Sequence, residues 1–198
     1  MKKSKRSYVQ TARREKREKT RARIVAALVE LHEEIGPKNT SIAAVAKRAG
    51  VQRLTVYRHF EDESAMFQAC SGQWAMDNPP PLESEWQELD SPDERAYAAL
   101  LAIARYYSKT EGMLAKIYRD VSEVEALKPI MEGFDAYFTG LADNVALDLS
   151  NQNPTGSLKA VSRHLARFST WQSLSLENLS EEDIAQVGLA WLKRLAEF

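Results

Sequence analysis

One cysteine, Cys70, stands in 198 residues. A single thiol closes no disulfide within the chain and builds no cysteine-rich zinc site. Of the histidines, His32 and His164 are isolated, neither lying at metal-ligand spacing from a second ligand. Also missing are a phosphate-binding glycine loop, a His-Glu-x-x-His helix, a nucleophile elbow and a glycine-rich dinucleotide turn. Scattered Ser, His and Asp occur in any chain of this length, so no enzyme, no cofactor and no metal are expected. No apolar run approaches the roughly 18–20 residues that span a bilayer. The basic start leads into more charge and not into an apolar stretch, which argues against a secretory signal and for a cytoplasmic protein. No useful β-alternation and no internal repeat is found.

What is present is sorted charge. Net charge is −1, yet residues 1–60 carry 16 lysines and arginines against five glutamates. The other 138 residues carry 11 bases against 23 acids. A basic head on an acidic body directs one end toward a polyanion. Residues 1–19 are almost wholly polar and dense in Lys and Arg, and are read as an arm or a frayed helix start. Two roles fit them: an arm that follows phosphates or enters a minor groove, and a solvated tail.

From Arg21 a helical period begins, with Ile24, Leu28, Leu31 and Ile35 three or four apart. Gly36-Pro37 ends it. Thr40-Ser41 offers an N-cap to a short helix whose inward face is Ile42, Val45, Ala46 and Ala49. Gly50 breaks that helix, and another runs from about Arg53 to Phe60. Asp62 caps a fourth, through Met66, Phe67 and Trp74. Residues 76–92 hold four of the seven prolines and mark the clearest interruption. Beyond it the spacing predicts helices near 92–108, 112–123, 126–147, 157–177 and 181–196. Ser180 caps the last, with acids in its first turn where the helix dipole favours them. The fold class is all-α. A basic arm (1–19) leads into a three-helix, helix-turn-helix domain (20–62), and a helical bundle follows (63–198).

The segment Thr40–Phe60, TSIAAVAKRAGVQRLTVYRHF, carries the function. A thin, alanine-rich helix lets the second cross it closely, and Gly50 permits a turn that a Cβ would penalise by roughly 1–2 kcal/mol. Val51, Val56 and Phe60 anchor the second helix. Gln52, Arg53, Leu54, Thr55, Tyr57, Arg58 and His59 are left facing outward or partly so. They supply the guanidiniums, hydroxyls and amide that hold phosphates and read base edges.

GVQRLTVYRHF, preceded by TSIAAVAKRA and an amphipathic helix ending at Gly36, resembles the DNA-binding head of TetR-type regulators over about residues 20–70. For the rest the likeness is one of layout. The resemblance implies a homodimer on double-stranded DNA. Its C-terminal domain would bind a small-molecule effector and so release a repressor from a palindromic operator. It casts Tyr57 and His59 as phosphate holders, with Thr40 and Ser41 as further backbone contacts. Arg53 and Arg58 are candidates for guanine and Leu54 for a thymine methyl; solvation or phosphate contact is the plainer role for each arginine. Two positions depart from the pattern. Many relatives have a lysine where this chain runs Glu61-Asp62-Glu63, and an arginine where it has Ala43.

The body is rich in Tyr106, Tyr107, Met113, Tyr118, Met131, Phe134 and Phe138. Such residues at helical spacing more often fill a core than line a pocket. If an effector cavity exists, they and Trp74, Phe168 and Trp171 are its expected lining. The resemblance implies that Leu158 and Leu165 on one stripe, and Ile184, Leu192 and Leu195 on another, pair with their copies in a four-helix dimer seam; an intrachain core is the alternative, and both can hold on different faces. Cys70 reads as a small buried hydrophobe. The competing function is an architectural DNA-binding protein with no ligand, which leaves the large aromatic body unexplained.

Overall fold

The computed structural model describes residues 2–197, with side chains from Gln10 onward. Nine α-helices and no strand occur among them. They are α1 (Lys2–Ile35), α2 (Ile42–Arg48), α3 (Arg53–His59), α4 (Glu63–Asp77), α5 (Pro92–Asp120), α6 (Lys128–Leu149), α7 (Gly156–Leu165), α8 (Phe168–Leu176) and α9 (Glu181–Ala196). The chain divides into two units. The first is the chain up to Asp77 with Ala115–Lys128; the second is Asn78–Leu114 with the chain from Pro129.

Three boundaries differ from the sequence expectation. The first helix starts at Lys2 and not near Arg21. Between them lie mostly strong helix formers with no glycine or proline, and Arg14 pairs with Glu18 one turn on at 3.3 Å. Gly112 does not divide α5. A lone glycine costs a helix about 1 kcal/mol, and the buried Met113 and Leu114 hold the next turn. The third difference is a break inside 157–177, where Arg167 is extended (φ −84°, ψ 140°). Side chains take up two carbonyls at the break: Tyr107 Oη donates to Ala166 O (2.8 Å) and Thr170 Oγ1 to His164 O (2.6 Å). The break lets Phe168 and Trp171 both bury.

In the first unit Ile24, Val45 and Val56 are wholly buried, one from each of α1, α2 and α3. Leu28, Leu31, Ala46, Phe60, Met66 and Cys70 belong to the same core. Arg48 on α2 grips Glu34 of α1 through both guanidinium nitrogens (2.8 and 2.7 Å) and reaches Glu30 at 3.0 Å. The α1–α2 connection turns on Gly36, whose φ of +87° lies in the left-handed region. A Cβ there would overlap the Arg119 guanidinium and the Asp120 carboxylate. That carboxylate accepts from Lys38 N (3.1 Å) and Arg119 Nε (2.7 Å). The Arg119 guanidinium, more than the Lys38 N–H, holds the Asp120 pKa below the usual carboxylate value.

Candidate nucleic-acid interface

Ser41 caps α2, its hydroxyl oxygen accepting from Ala44 N at 3.2 Å. That leaves the Ser41 hydroxyl hydrogen free to donate outward. Thr40 is differently employed: its hydroxyl donates to Gly36 O (2.9 Å) and its N–H to Pro37 O (3.1 Å). Of the two, Ser41 is the better placed to hold a phosphate. The helix ends at Ala49, and Gly50 (φ +64°) reverses the chain. Val51 N then donates to Ala46 O at 2.9 Å.

Helix α3 stands on one wholly buried side chain, Val56, with Phe60 following it into the core. Its other positions face out. Gln52, Arg53, Leu54, Tyr57 and Arg58 are exposed, while Thr55 and His59 are half-buried. Leu54 and Tyr57 are 56% and 62% exposed, a large apolar surface for a helix of seven residues. Of the contact residues selected from sequence, Gln52, Arg53, Leu54, Thr55, Tyr57, Arg58 and His59 therefore lie on α3 or its N-cap, while Thr40 and Ser41 precede α2.

Two arginines that sequence reasoning did not assign to the site, Arg17 in the arm and Arg21 at the start of the first helical period, belong beside it. Arg21 of α1 lies over the Phe60 ring, its guanidinium carbon 5.0 Å from the centroid. Arg21 and Arg17 also act on His59. Burial, and after it the charges of Arg17 and Arg21, lower the His59 pKa below its ordinary value. His59 Nδ1 is buried without a hydrogen-bond partner. Burial and these two positive charges thus favour the uncharged imidazole at His59. The signal in the sequence was the four-residue spacing of Arg13, Arg17 and Arg21, which puts them on one side of a helix.

Residues 24–70 match the family model for bacterial regulatory proteins of the tetR family. The head is a tetR-family domain. That head is the helix-turn-helix segment of the chain, and the matched family is one of bacterial regulatory proteins. A comparison with curated proteins finds no match.

Among solved structures, a Rhodococcus sp. protein described as a TetR-family transcriptional regulator is 18% identical with a TM-score of 0.62, covering 90% of this chain and 99% of its own. NalD of Pseudomonas aeruginosa, the secondary repressor of the MexAB-OprM multidrug efflux pump, is 22% identical with a TM-score of 0.55, covering 90% and 96%. FadR of Bacillus subtilis, solved with stearoyl-CoA, is 19% identical with a TM-score of 0.56, covering 86% and 96%. At these identities the likeness is one of fold.

Behind the tetR-family recognition helix, the core of the first unit holds a buried histidine. His32 stacks on Phe67 with ring centroids 5.1 Å apart, and its Nδ1 lies 3.4 Å from Cys70 Sγ. Burial lowers the His32 pKa to about 4, against the opposing pull of Asp120. Burial also raises the Cys70 thiol to about 12. Cys70 is thus a protonated, buried hydrophobe and not an activated thiolate. A stability change with pH is expected. Above pH 6.5 His32 is neutral both folded and unfolded, and its contribution is full; between pH 6.5 and about 4 only the unfolded chain takes the proton. Stability should fall across that window by up to about 3 kcal/mol on account of this residue. Denaturant titrations of the parent and His32→Gln at pH 7 and pH 4.5 check it. Equal losses in the two proteins would count against the assignment.

In the second unit, six of the residues chosen as effector lining form one aromatic cluster. Phe138 lies 5.5, 5.0 and 4.8 Å from Tyr106, Tyr107 and Phe134, and Phe168 lies 5.5 Å from Tyr107 and 5.6 Å from Trp171. Met113 and Met131 are buried in the same unit. Trp74 and Tyr118 belong to the first unit. Trp171 is 4% exposed, and its indole N–H has no partner. A separate cavity of about 420 Å³ is lined by Trp86, Arg95, Leu141, Asn144, Asp148 and Gln152, none of them selected from sequence. There Arg95 is neutralised, its guanidinium donating to both Asp148 oxygens (2.7 and 2.9 Å).

The expected dimer seam requires correction. Leu158, Leu165, Ile184 and Leu192 are buried within the single chain, where α7 and α8 pack on α9. They fill that core and present no surface; Leu195 is half-buried. The large apolar groups left outside on α8 and α9 are Leu176 and Trp191, 75% and 47% exposed. No helix among the described residues is long and apolar enough to cross a membrane, and no three His, Cys, Asp or Glu among them cluster as a metal site.

Proposed function

We propose that the chain is a homodimeric, cytoplasmic repressor that binds a palindromic operator through α3 and is released by a small-molecule effector. The observation that carries the reading is the surface of α3. A rigid core holds Leu54 and Tyr57 out in solvent beside Arg53 and Arg58, with Arg17 and Arg21 at the helix end. Such a surface suits phosphates flanking a major groove. Ser41, Tyr57 and the Arg17–Arg21 pair position the duplex, while Arg53, Arg58 and Leu54 read it. His59 donates from one ring nitrogen and carries no charge. Thr40 supports the turn, and Gln52 and Thr55 supplement the contacts.

Two measurements test this. Affinity for duplex DNA should fall log-linearly with salt, by about 0.9 per neutralised phosphate. Deleting residues 2–17 should flatten that slope and leave the preferred sequence intact; an unchanged slope makes the segment an inert tail. Binding-site selection separates the roles of single residues. Tyr57→Phe should weaken all sequences alike, whereas Arg53→Ala or Arg58→Ala should relax particular base pairs by about 1–3 kcal/mol. Unchanged stringency in both arginine variants removes them from base reading.

Effector binding is assigned to the aromatic cluster of the second unit. The buried Trp171 N–H lacks an acceptor, which an occupant would provide. FadR, of the same fold, is solved with an acyl-CoA. A ligand screen by thermal shift distinguishes this from a ligand-independent architectural protein, because an effector stabilises by mass action. Dimerisation is assigned to the face carrying Leu176 and Trp191.

A further inference from the structure

Four buried hydroxyls of the second unit are spent on backbone carbonyls. Thr110 Oγ1 donates to Tyr106 O, Ser162 Oγ to Ala142 O and Thr170 Oγ1 to His164 O, each at 2.6 Å. Tyr107 Oη donates to Ala166 O at 2.8 Å. No charged side chain is buried among the described residues of this unit. Burial raises the Tyr106 pKa to about 12, so that ring is uncharged as well.

One buried group is left over. The indole N–H of Trp171, a residue 4% exposed, is the buried side-chain polar atom of this unit that has no partner among the described residues. An indole nitrogen has a single tautomer and only donates, so what it lacks is an acceptor. The helix break at Arg167 puts the ring there, against Tyr107 and Phe168 with centroids 6.1 and 5.6 Å away. Side chains take up two carbonyls at that break, and this donor alone stays bare. Buried donors are nearly always paired, and one left without a partner calls for an occupant. Phe134 is half-buried and 4.8 Å from Phe138, which gives the ring network an edge toward solvent.

We propose that the effector is an uncharged aromatic molecule with one acceptor oxygen, an aryl ketone or ester, whose carbonyl takes the Trp171 N–H. This names the ligand class of the aromatic cluster and rests on the assignment of effector binding to it. An ion carried among these side chains would lose its hydration and meet no buried counter-charge. A flat ring instead joins Tyr107, Phe138 and Phe168 in the offset and edge contacts they already make with one another.

The test uses the full chain without DNA, so it is independent of DNA binding. Calorimetric titrations compare acetophenone, isopropenylbenzene, in which a methylene group replaces the carbonyl oxygen, and benzoate. Acetophenone is expected to bind about tenfold more tightly than isopropenylbenzene, the factor for one hydrogen bond to a donor otherwise left bare. Benzoate should bind more weakly than either. The indole N–H signals of the four tryptophans are followed by NMR. One should move downfield with acetophenone and not with isopropenylbenzene, and it should be the signal that Trp171→Phe removes. In that variant the two neutral ligands should bind alike. The titrations of the parent chain decide the matter even where the variant fails to fold. Equal binding of acetophenone and isopropenylbenzene by the parent, or tighter binding of benzoate, overturns the ligand class and leaves the aromatic cluster as the effector site. No saturable binding by any of the three overturns both.

Discussion

Leu192→Glu is expected to unfold the C-terminal unit. Leu192 is fully buried inside one chain, on a helix packed against α7 and α8. A carboxylate placed there has no cationic partner, and the uncompensated charge costs about 3–5 kcal/mol. Loss of the leucine's own packing adds about 2 kcal/mol or more. Whole domains are stable by only about 5–15 kcal/mol. Trp191→Glu, one residue away, is expected to behave in the opposite manner. Its side chain is 47% exposed, so the charge stays in water and the chain keeps its fold. What it should lose is self-association, and with it tight binding to a two-fold operator. Circular dichroism and sedimentation on both variants decide the matter. A folded, monomeric Leu192→Glu chain would return the buried stripe to the dimer interface. A Trp191→Glu chain that sediments like the parent would remove Trp191 from it.

Gly36→Ala should cost the head about 3 kcal/mol or more. The left-handed backbone accounts for about 1–2 kcal/mol of that. The remainder comes from the neighbours, because the added carbon would displace Arg119 and Asp120 from the contacts that hold Lys38 N. Breaking a buried, charged hydrogen bond costs about 1–3 kcal/mol. Gly50→Ala is the control. Its φ is +64°, but the nearest group to an added Cβ is Arg23 Nη1 at 4.0 Å. It should pay only the backbone part, about 1–2 kcal/mol. Urea midpoints of the two variants give the difference. Equal costs would mean that Arg119 and Asp120 yield freely.

The contrast between these glycines also explains what the sequence could reveal. The left-handed turns at Gly36 and Gly50 and the cap at Ser41 are local, so the helix-turn-helix could be read from spacing, whereas the Arg119 and Asp120 side chains that crowd Gly36 could not. Nor could the break at Arg167. It depends on Tyr107 meeting a carbonyl 59 positions away, and on a choice between one long helix and burying Phe168 and Trp171 together. Asp120 similarly serves a loop 82 positions earlier. The apolar stripes of α7 and α9 were visible, but periodicity marks a face without naming what covers it, and the chain's own helices cover this one. At the head, the α3 residues were legible because they share one short helix. Arg17 was not assigned to the site because its segment was read as an arm or a frayed helix start, and Arg21 was read only as the start of the helical period.

The continuity of α1 changes what that segment can deliver. Thirty-four helical residues rise about 50 Å, so the basic segment is a stiff ruler and not a rope. At 100° per residue, Arg13, Arg14, Arg17 and Arg21 point to one side and Lys16, Lys19 and Arg23 to roughly the other. A duplex can lie along only one side of a ruler. The first set, which includes the Arg17 and Arg21 found beside His59, is the one on the side of the recognition helix. While the helix persists, its far-side charges raise the potential that draws DNA in but release few counterions on contact. The segment should therefore contribute more to the speed of association than its formal charge contributes to the salt slope.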